Sequence, residues 1–140
     1  MQFSVILALA LATASNAHYV FPSLITNGAT TAEWQYVRQW TGYYSNGPVT
    51  DVNSASFRCN VDGATKSAST QTVAAGSNIG FTAKASISHP GPLQVYLAKV
   101  PSGKTAATWD GSGNVWFKIF GQGPSGLGSS LTWPTNGMSP

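Results

Sequence analysis

Two stretches decide the fold class: residues 93–98, LQVYLA, and residues 115–120, VWFKIF. In the first, Leu93, Val95 and Leu97 fall on one face and Gln94, Tyr96 and Ala98 on the other. In the second, Val115, Phe117 and Ile119 alternate with Trp116, Lys118 and Phe120. Alternation with period two is the mark of a half-buried strand, because successive side chains of an extended chain point to opposite faces. A third stretch repeats it, with Ile79, Phe81 and Ala83 opposite Gly80, Thr82 and Lys84. Further strands are expected over His18–Thr26, Trp34–Val37, Ser56–Cys59 and Gln71–Val73. Turn signals separate them: Asn27-Gly28, Asn46-Gly47-Pro48, Asp62-Gly63, Ala75-Gly76, Pro101-Ser102-Gly103 and Asp110-Gly111. Short strands at this spacing predict an all-β sandwich or barrel. No sustained i, i+3, i+4, i+7 pattern supports a core helix, and no internal repeat is present.

Composition narrows the function classes. The chain has 140 residues, a prior for one domain at most, with 8% charged residues and a formal net charge of +3. Aromatic residues make up 11%, alongside 15 Gly and 8 Pro. Disordered chains are charge-rich and aromatic-poor, so this one is expected to fold. Seven Lys and Arg, scattered without a run or stripe, argue against nucleic acid as a partner. A coiled coil needs far more Ala, Glu, Lys and Leu at heptad spacing. What remains is a loop-rich β domain with a weakly charged surface.

The ends of the chain carry their own signals. Residues 1–17, MQFSVILALALATASNA, run from an apolar stretch into small residues, the layout of a secretory signal peptide. The run is well short of the roughly 20 apolar residues that span a bilayer, so no membrane anchor is expected. Two cleavage points obey the small-residue rule: after Ala14, leaving Ser15, or after Ala17, leaving His18. Either gives a secreted, extracellular protein in a compartment where disulfides form. Yet there is one cysteine, Cys59, so no disulfide lies within the chain. Residues 121–140, GQGPSGLGSSLTWPTNGMSP, are uncharged and hold five Gly, three Pro and four Ser. That segment reads as a long surface loop; it is either a flexible tail or the point at which a larger domain stops partway.

Two histidines are the candidate metal ligands, His18 and His89. Were His18 the N-terminal residue, its α-amine and ring Nδ1 could chelate one ion, since an α-amine pKa of about 8 lets a metal displace the proton near neutral pH. A second imidazole would complete a T-shaped set of three nitrogens, which favours Cu(II). His89 sits in Ser88-His-Pro-Gly-Pro92, where two prolines fix φ and stiffen the mount. An ordinary turn histidine is the bland alternative. Other chemistries are poorly supported. The acids Glu33, Asp51, Asp62 and Asp110 show no hydrolase spacing, no Gly-x-Ser-x-Gly elbow occurs, and Cys59 lacks the partners of a zinc site. Of the aromatics, Trp116 and Tyr96 are assigned to the core, and Tyr43 and Tyr44, in a polar Gly-containing loop, to the surface as sugar-stacking candidates.

Taken together, several segments resemble the fungal AA9 lytic polysaccharide monooxygenases, formerly grouped as glycoside hydrolase family 61. They are His18 after a signal peptide, Asn46-Gly-Pro-Val-Thr-Asp-Val-Asn-Ser54, Cys59-Asn60, Ala74-Ala-Gly-Ser-Asn-Ile-Gly-Phe81, His89-Pro-Gly-Pro92, Val95-Tyr-Leu-Ala-Lys-Val-Pro-Ser-Gly103 and Asn114-Val-Trp-Phe-Lys-Ile-Phe120. The resemblance covers 18–134 and corresponds to the N-terminal half, or somewhat more, of a family domain. It implies an immunoglobulin- or fibronectin-like β-sandwich with long loops over 18–140, lacking its C-terminal strands. It also implies one copper ion in a histidine brace, with His18 giving its amine and ring nitrogen and His89 the third nitrogen. The family's copper is reduced by an external donor, a small reductant or cellobiose dehydrogenase. It then activates O2 or H2O2 to abstract a hydrogen beside a glycosidic bond in cellulose or a related β-glucan. The family's axial tyrosine, glutamine and further histidine have no counterpart here. Cys59 matches a cysteine that the family bridges to one near the end of its domain. Such a bridge would contribute roughly 3–5 kcal/mol.

Three readings follow: a copper-dependent monooxygenase, a secreted copper- or polysaccharide-binding protein without turnover, and a fragment whose fold is too compromised for either unless Cys59 pairs between chains. The first two need His18 at the N-terminus. The secreted protein is expected to start there by intact-mass measurement, and a start at Ser15 would abolish the amine–imidazole chelate.

Overall fold

The computed structural model of the chain describes residues 19–40, 42–44, 47–59 and 68–140. The expected signal peptide, His18, Asn46 and the Asp62-Gly63 turn therefore lie outside the described residues. Within them the architecture is all-β and every strand pairing is antiparallel. Five strands occur in the order β1 (Ser23–Thr26), β2 (Ala29–Thr30), β3 (Ile79–Thr82), β4 (Leu93–Ala98) and β5 (Trp116–Gln122), with a 3-10 turn at Ala55–Phe57. They form a three-stranded sheet, β2-β1-β3, and a two-stranded sheet, β4-β5. Two antiparallel sheets are what the expected sandwich requires.

The first sheet starts from a local signal. Asn27 at φ 50° and Gly28 at φ 75° make a two-residue turn between Thr26 and its partner Ala29. Positive φ at both central residues is the geometry that matches strand twist, and Asn-Gly tolerates it best. β1 then pairs with β3 across a long gap in sequence, Ser23 with Thr82 through to Thr26 with Ile79. The tie extends beyond the strands, where the Lys84 amide donates to Val20 O at 2.9 Å. Val20, Ala83 and Ile87 are buried along this seam with Ser23 and Thr26, and Trp109 joins them in the buried set.

The second sheet departs from its sequence pattern in one place. Val95 faces Phe120, but Tyr96 faces Lys118, so Ile119 is an extra residue on β5. A bulge of this kind shifts the alternation by one. Leu93 and Val95 are half-buried as expected, whereas Leu97 is exposed and Ala98 takes the half-buried place. All seven residues of β5 are exposed. The assignment of Tyr96 and Trp116 to the core is therefore corrected. Tyr96 lies at the surface with its hydroxyl donating to Gln94 Oε1 at 2.8 Å. Trp116 is partly exposed, stacked on the buried Trp109 at 5.8 Å and 16°, with its indole N–H on Gly111 O at 2.8 Å.

Three expected strands do not form. Trp34–Val37 is turn and bend because Trp34 adopts φ 63°, outside any strand, while its amide donates to Pro22 O at 2.8 Å. At Ser56–Cys59 the Ser54 hydroxyl accepts from the Ser56 amide and winds Ala55–Phe57 into a 3-10 turn, after which Cys59 takes φ 57°. Gln71–Val73 is extended in composition but finds no ladder partner. Local β-propensity yields in each case to side-chain capping or to the absence of a neighbouring strand.

One cation joins distant parts of the chain. Nη2 of Arg38 donates to the carbonyls of Ala106 and Trp109, the latter at 2.5 Å. The acceptors belong to a turn closed by Thr105, whose carbonyl accepts from the Thr108 and Trp109 amides. Cys59 lies nearby with a free thiol. The residue is exposed as a whole, but a Cβ at Gly111 would stand 3.3 Å from its sulfur and 3.3 Å from the Trp116 ring, so the sulfur is tucked against that corner. Desolvation pushes the thiol above its ordinary value, against the opposing pull of Arg38 and Arg58.

Arg38→Met keeps the stem and removes the donors, leaving two carbonyls without a charged partner. It is expected to cost about 1.5–3 kcal/mol in urea unfolding; an unchanged midpoint would mean the clamp carries no stability. Cys59 is expected to alkylate more slowly in the folded chain than in urea. Its rate should rise at a pH above that of an unfolded thiol, because a raised pKa leaves less thiolate at any given pH. Equal rates in both states would contradict the tucked sulfur.

Candidate metal centre

The His89 loop is short of backbone donors. Pro90 and Pro92 have no N–H, so the segment 89–92 depends on outside partners for its shape. Those partners come from residues 135–138. The Ile87 amide donates to Met138 O at 2.9 Å, and the Gly137 amide returns a bond to Ile87 O at 2.9 Å. The Thr135 hydroxyl reaches His89 O at 3.2 Å and Gly91 O at 3.0 Å. Ile87 and Thr135 are each 1% exposed, so both anchors are fully buried. Asn136-Gly137 turns the strap back on itself, with Gly137 at φ 82° and the Met138 amide on Thr135 O at 3.2 Å.

On its other side the His89 ring meets the start of the described chain. Tyr19 lies 5.5 Å from it, ring centre to ring centre, tilted by 36°, and packs edge-on against Phe21 at 5.5 Å. His89 is half-buried and its Nε2 is shielded from solvent. Tyr19 and His89 both line a cavity of about 880 Å³ that also touches Leu24, Phe81, Trp109 and Trp116, and so reaches both sheets. Of the two expected ligands, then, His89 is placed on a braced loop, and His18 falls outside the described residues. Among the described residues no three His, Cys, Asp or Glu side chains come together as a metal site.

The aromatic candidates form a cluster of their own, and one member, Trp40, lines the same cavity as His89. Tyr43 is half-buried among Trp34 at 5.3 Å, Trp40 at 6.5 Å and Tyr44 at 5.9 Å, all near edge-to-face. Tyr44 is 78% exposed. Trp34, whose positive φ broke the expected strand, sits at the base of this cluster.

Thr135 and Arg38 were not legible as site or scaffold residues. Thr135 lies in a segment whose composition reads as loop, and its one local signal is the Asn-Gly turn that follows it. Of the segment 121–140, residues 135–138 are docked on the 87–91 loop.

Known proteins share this sequence across nearly its whole length. The chain is 60% identical over 131 residues to AA9 family lytic polysaccharide monooxygenase H of Malbranchea cinnamomea, covering 94% of this chain and 57% of that protein. It is 52% identical to AA9 family lytic polysaccharide monooxygenase C of Emericella nidulans, covering 92% of this chain and 56% of the relative. It is 50% identical over 141 residues to AA9 family lytic polysaccharide monooxygenase A of Thermothielavioides terrestris, covering 99% and 60%. The chain thus spans somewhat more than half the length of these curated relatives. The profile of Auxiliary Activity family 9, formerly GH61, matches residues 18–139. This chain belongs to Auxiliary Activity family 9.

Proposed function

We propose that the chain is a secreted, copper-dependent lytic polysaccharide monooxygenase that cleaves glycosidic bonds oxidatively in cellulose or a related β-glucan. In this reading residues 1–17 are a signal peptide and 18–140 the copper-binding β-sandwich domain. The observation that carries it is the contact between Tyr19 and His89 at 5.5 Å. Consecutive Cα atoms are about 3.8 Å apart across a trans peptide. The residue bonded to Tyr19 is His18, which this reading takes as the partner ligand of His89. An α-amine and two imidazoles form an all-nitrogen donor set, and such a set suits Cu(II). His89, half-buried with its Nε2 turned away from solvent, suits the imidazole share of such a set.

His18 would hold the ion through its amine and ring, and His89 through its ring. Copper held there would supply one-electron chemistry toward oxygen or peroxide, with a small reductant or cellobiose dehydrogenase as the external donor. The protein's part is to fix the ligands. Residues 135–138 hold the His89 loop from below, and the Tyr19 ring limits how far the imidazole can swing. Tyr44 offers an exposed ring face for a pyranose, while Tyr43 keeps it upright by edge-on contact. An uncharged polysaccharide suits a chain with 8% charged residues.

A second reading keeps the metal but not the turnover: a secreted copper- or polysaccharide-binding protein. The observation that favours it is Tyr44, 78% exposed and met edge-on by Tyr43 at 5.9 Å, an aromatic surface that can hold a sugar without any turnover.

Cu(II) titration followed by EPR is expected to give one nitrogen-rich site, lost in His89→Ala. Oxidised oligosaccharides should then appear from cellulose with ascorbate and copper, and be absent without copper. Tight copper binding with no oxidised product selects the second reading. An unchanged copper spectrum in His89→Ala removes both.

A further inference from the structure

We propose that Thr135 is a positioning residue for His89, setting the orientation of the imidazole through the backbone of the loop that bears it. The inference rests on the copper reading above for its functional meaning, but its geometry stands apart from it. A buried hydroxyl without a partner costs roughly 1–3 kcal/mol. At 1% exposure Thr135 satisfies its hydroxyl on two carbonyls, His89 O at 3.2 Å and Gly91 O at 3.0 Å. One proton shared between two acceptors fixes both, and the acceptors flank Pro90. Prolines at 90 and 92 fix φ but have no amide to offer, and the Thr135 hydroxyl supplies a donor to the two carbonyls between and before them. Gly91 packs directly on Thr135, a Cβ there standing 3.4 Å from the hydroxyl oxygen, ordinary contact distance. The two backbone bonds between Ile87 and residues 137–138 hold the strap in register, which brings the hydroxyl to the same place each time the chain folds. The hydroxyl touches neither a donor atom nor the substrate. It acts on the ring through the backbone that carries it.

The full chain is compared with Thr135→Val, nearly isosteric but without the donor, and Thr135→Ser, which keeps it. In the metal-free proteins, the His89 ring resonances of Thr135→Val are expected to shift or split in NMR while β4 and β5 amides stay in place. Those of Thr135→Ser should match wild type. With copper, Thr135→Val is expected to bind Cu(II) roughly tenfold or more weakly, with an altered EPR spectrum, and Thr135→Ser to behave as wild type. An unchanged His89 resonance and an unchanged Cu(II) affinity in folded Thr135→Val would overturn the proposal. If Thr135→Val fails to fold by circular dichroism, Thr135→Ser decides: a wild-type spectrum supports the hydroxyl's role, and a displaced His89 resonance overturns it. Absence of copper binding by wild type would sink the copper reading alone, and the metal-free NMR would still decide what Thr135 does.

Discussion

The antiparallel pairing of β1 with β3 is the constraint from which the rest follows. It joins residues 23–26 to 79–82 in a fixed register, and Val20 to Lys84 just beyond. Because the strands run in opposite directions, the approach to β1 is brought beside the exit from β3. That exit leads within a few residues to His89. The meeting of Tyr19 with His89 is therefore a product of strand direction, and a parallel arrangement would have sent the two apart. Register is specified by burial: a slip of one residue would expose Val20 and Ala83 and turn Phe81 the other way.

Long-range ties then complete what the ladder begins. Arg38 bridges to a turn some 70 residues on, and the 135–138 strap returns to the His89 loop from the far end of the chain. Both act on backbone carbonyls. Carbonyls are present at every residue, so such ties leave no pattern in the partner segment. This is why the sequence reading found β3, β4, β5 and the Asn27-Gly28 turn, whose signals are local, and missed Thr135 and Arg38, whose partners are remote. It also explains the strands that failed. Trp34–Val37 and Ser56–Cys59 have strand-like composition, but a positive φ at Trp34 and at Cys59 bends the chain out of any ladder. His89 was legible because two prolines mark its loop; the contact that gives it meaning, Tyr19, was not.

The interior is unusual in its balance. Val20, Ala83, Ile87 and Trp109 are the buried apolar residues among those described, while a cavity of about 880 Å³ lies open to both sheets. Its size falls in the range of small-molecule pockets. Leu24, Phe81 and Trp116 bring strand residues of both sheets to its wall, and loop residues such as Tyr36, Trp40, Pro48 and Gln71 line the remainder. Stability in such an arrangement leans on hydrogen-bonded straps more than on a packed centre. Ile87, the most deeply buried apolar side chain, sits under the strap itself.

The exposure of every residue in β5 bears on the life of the protein in solution. Trp116-Phe-Lys-Ile-Phe120 presents aromatic and branched side chains on both faces, and in a two-stranded sheet its outer edge has no partner among the described residues. An edge of that kind is a template for another chain, and Lys118 is the one charge set against it. Encounters between two such edges grow with the square of concentration, whereas unfolding does not depend on concentration at all. A meeting of two β5 edges is therefore favoured by crowding and opposed by dilution.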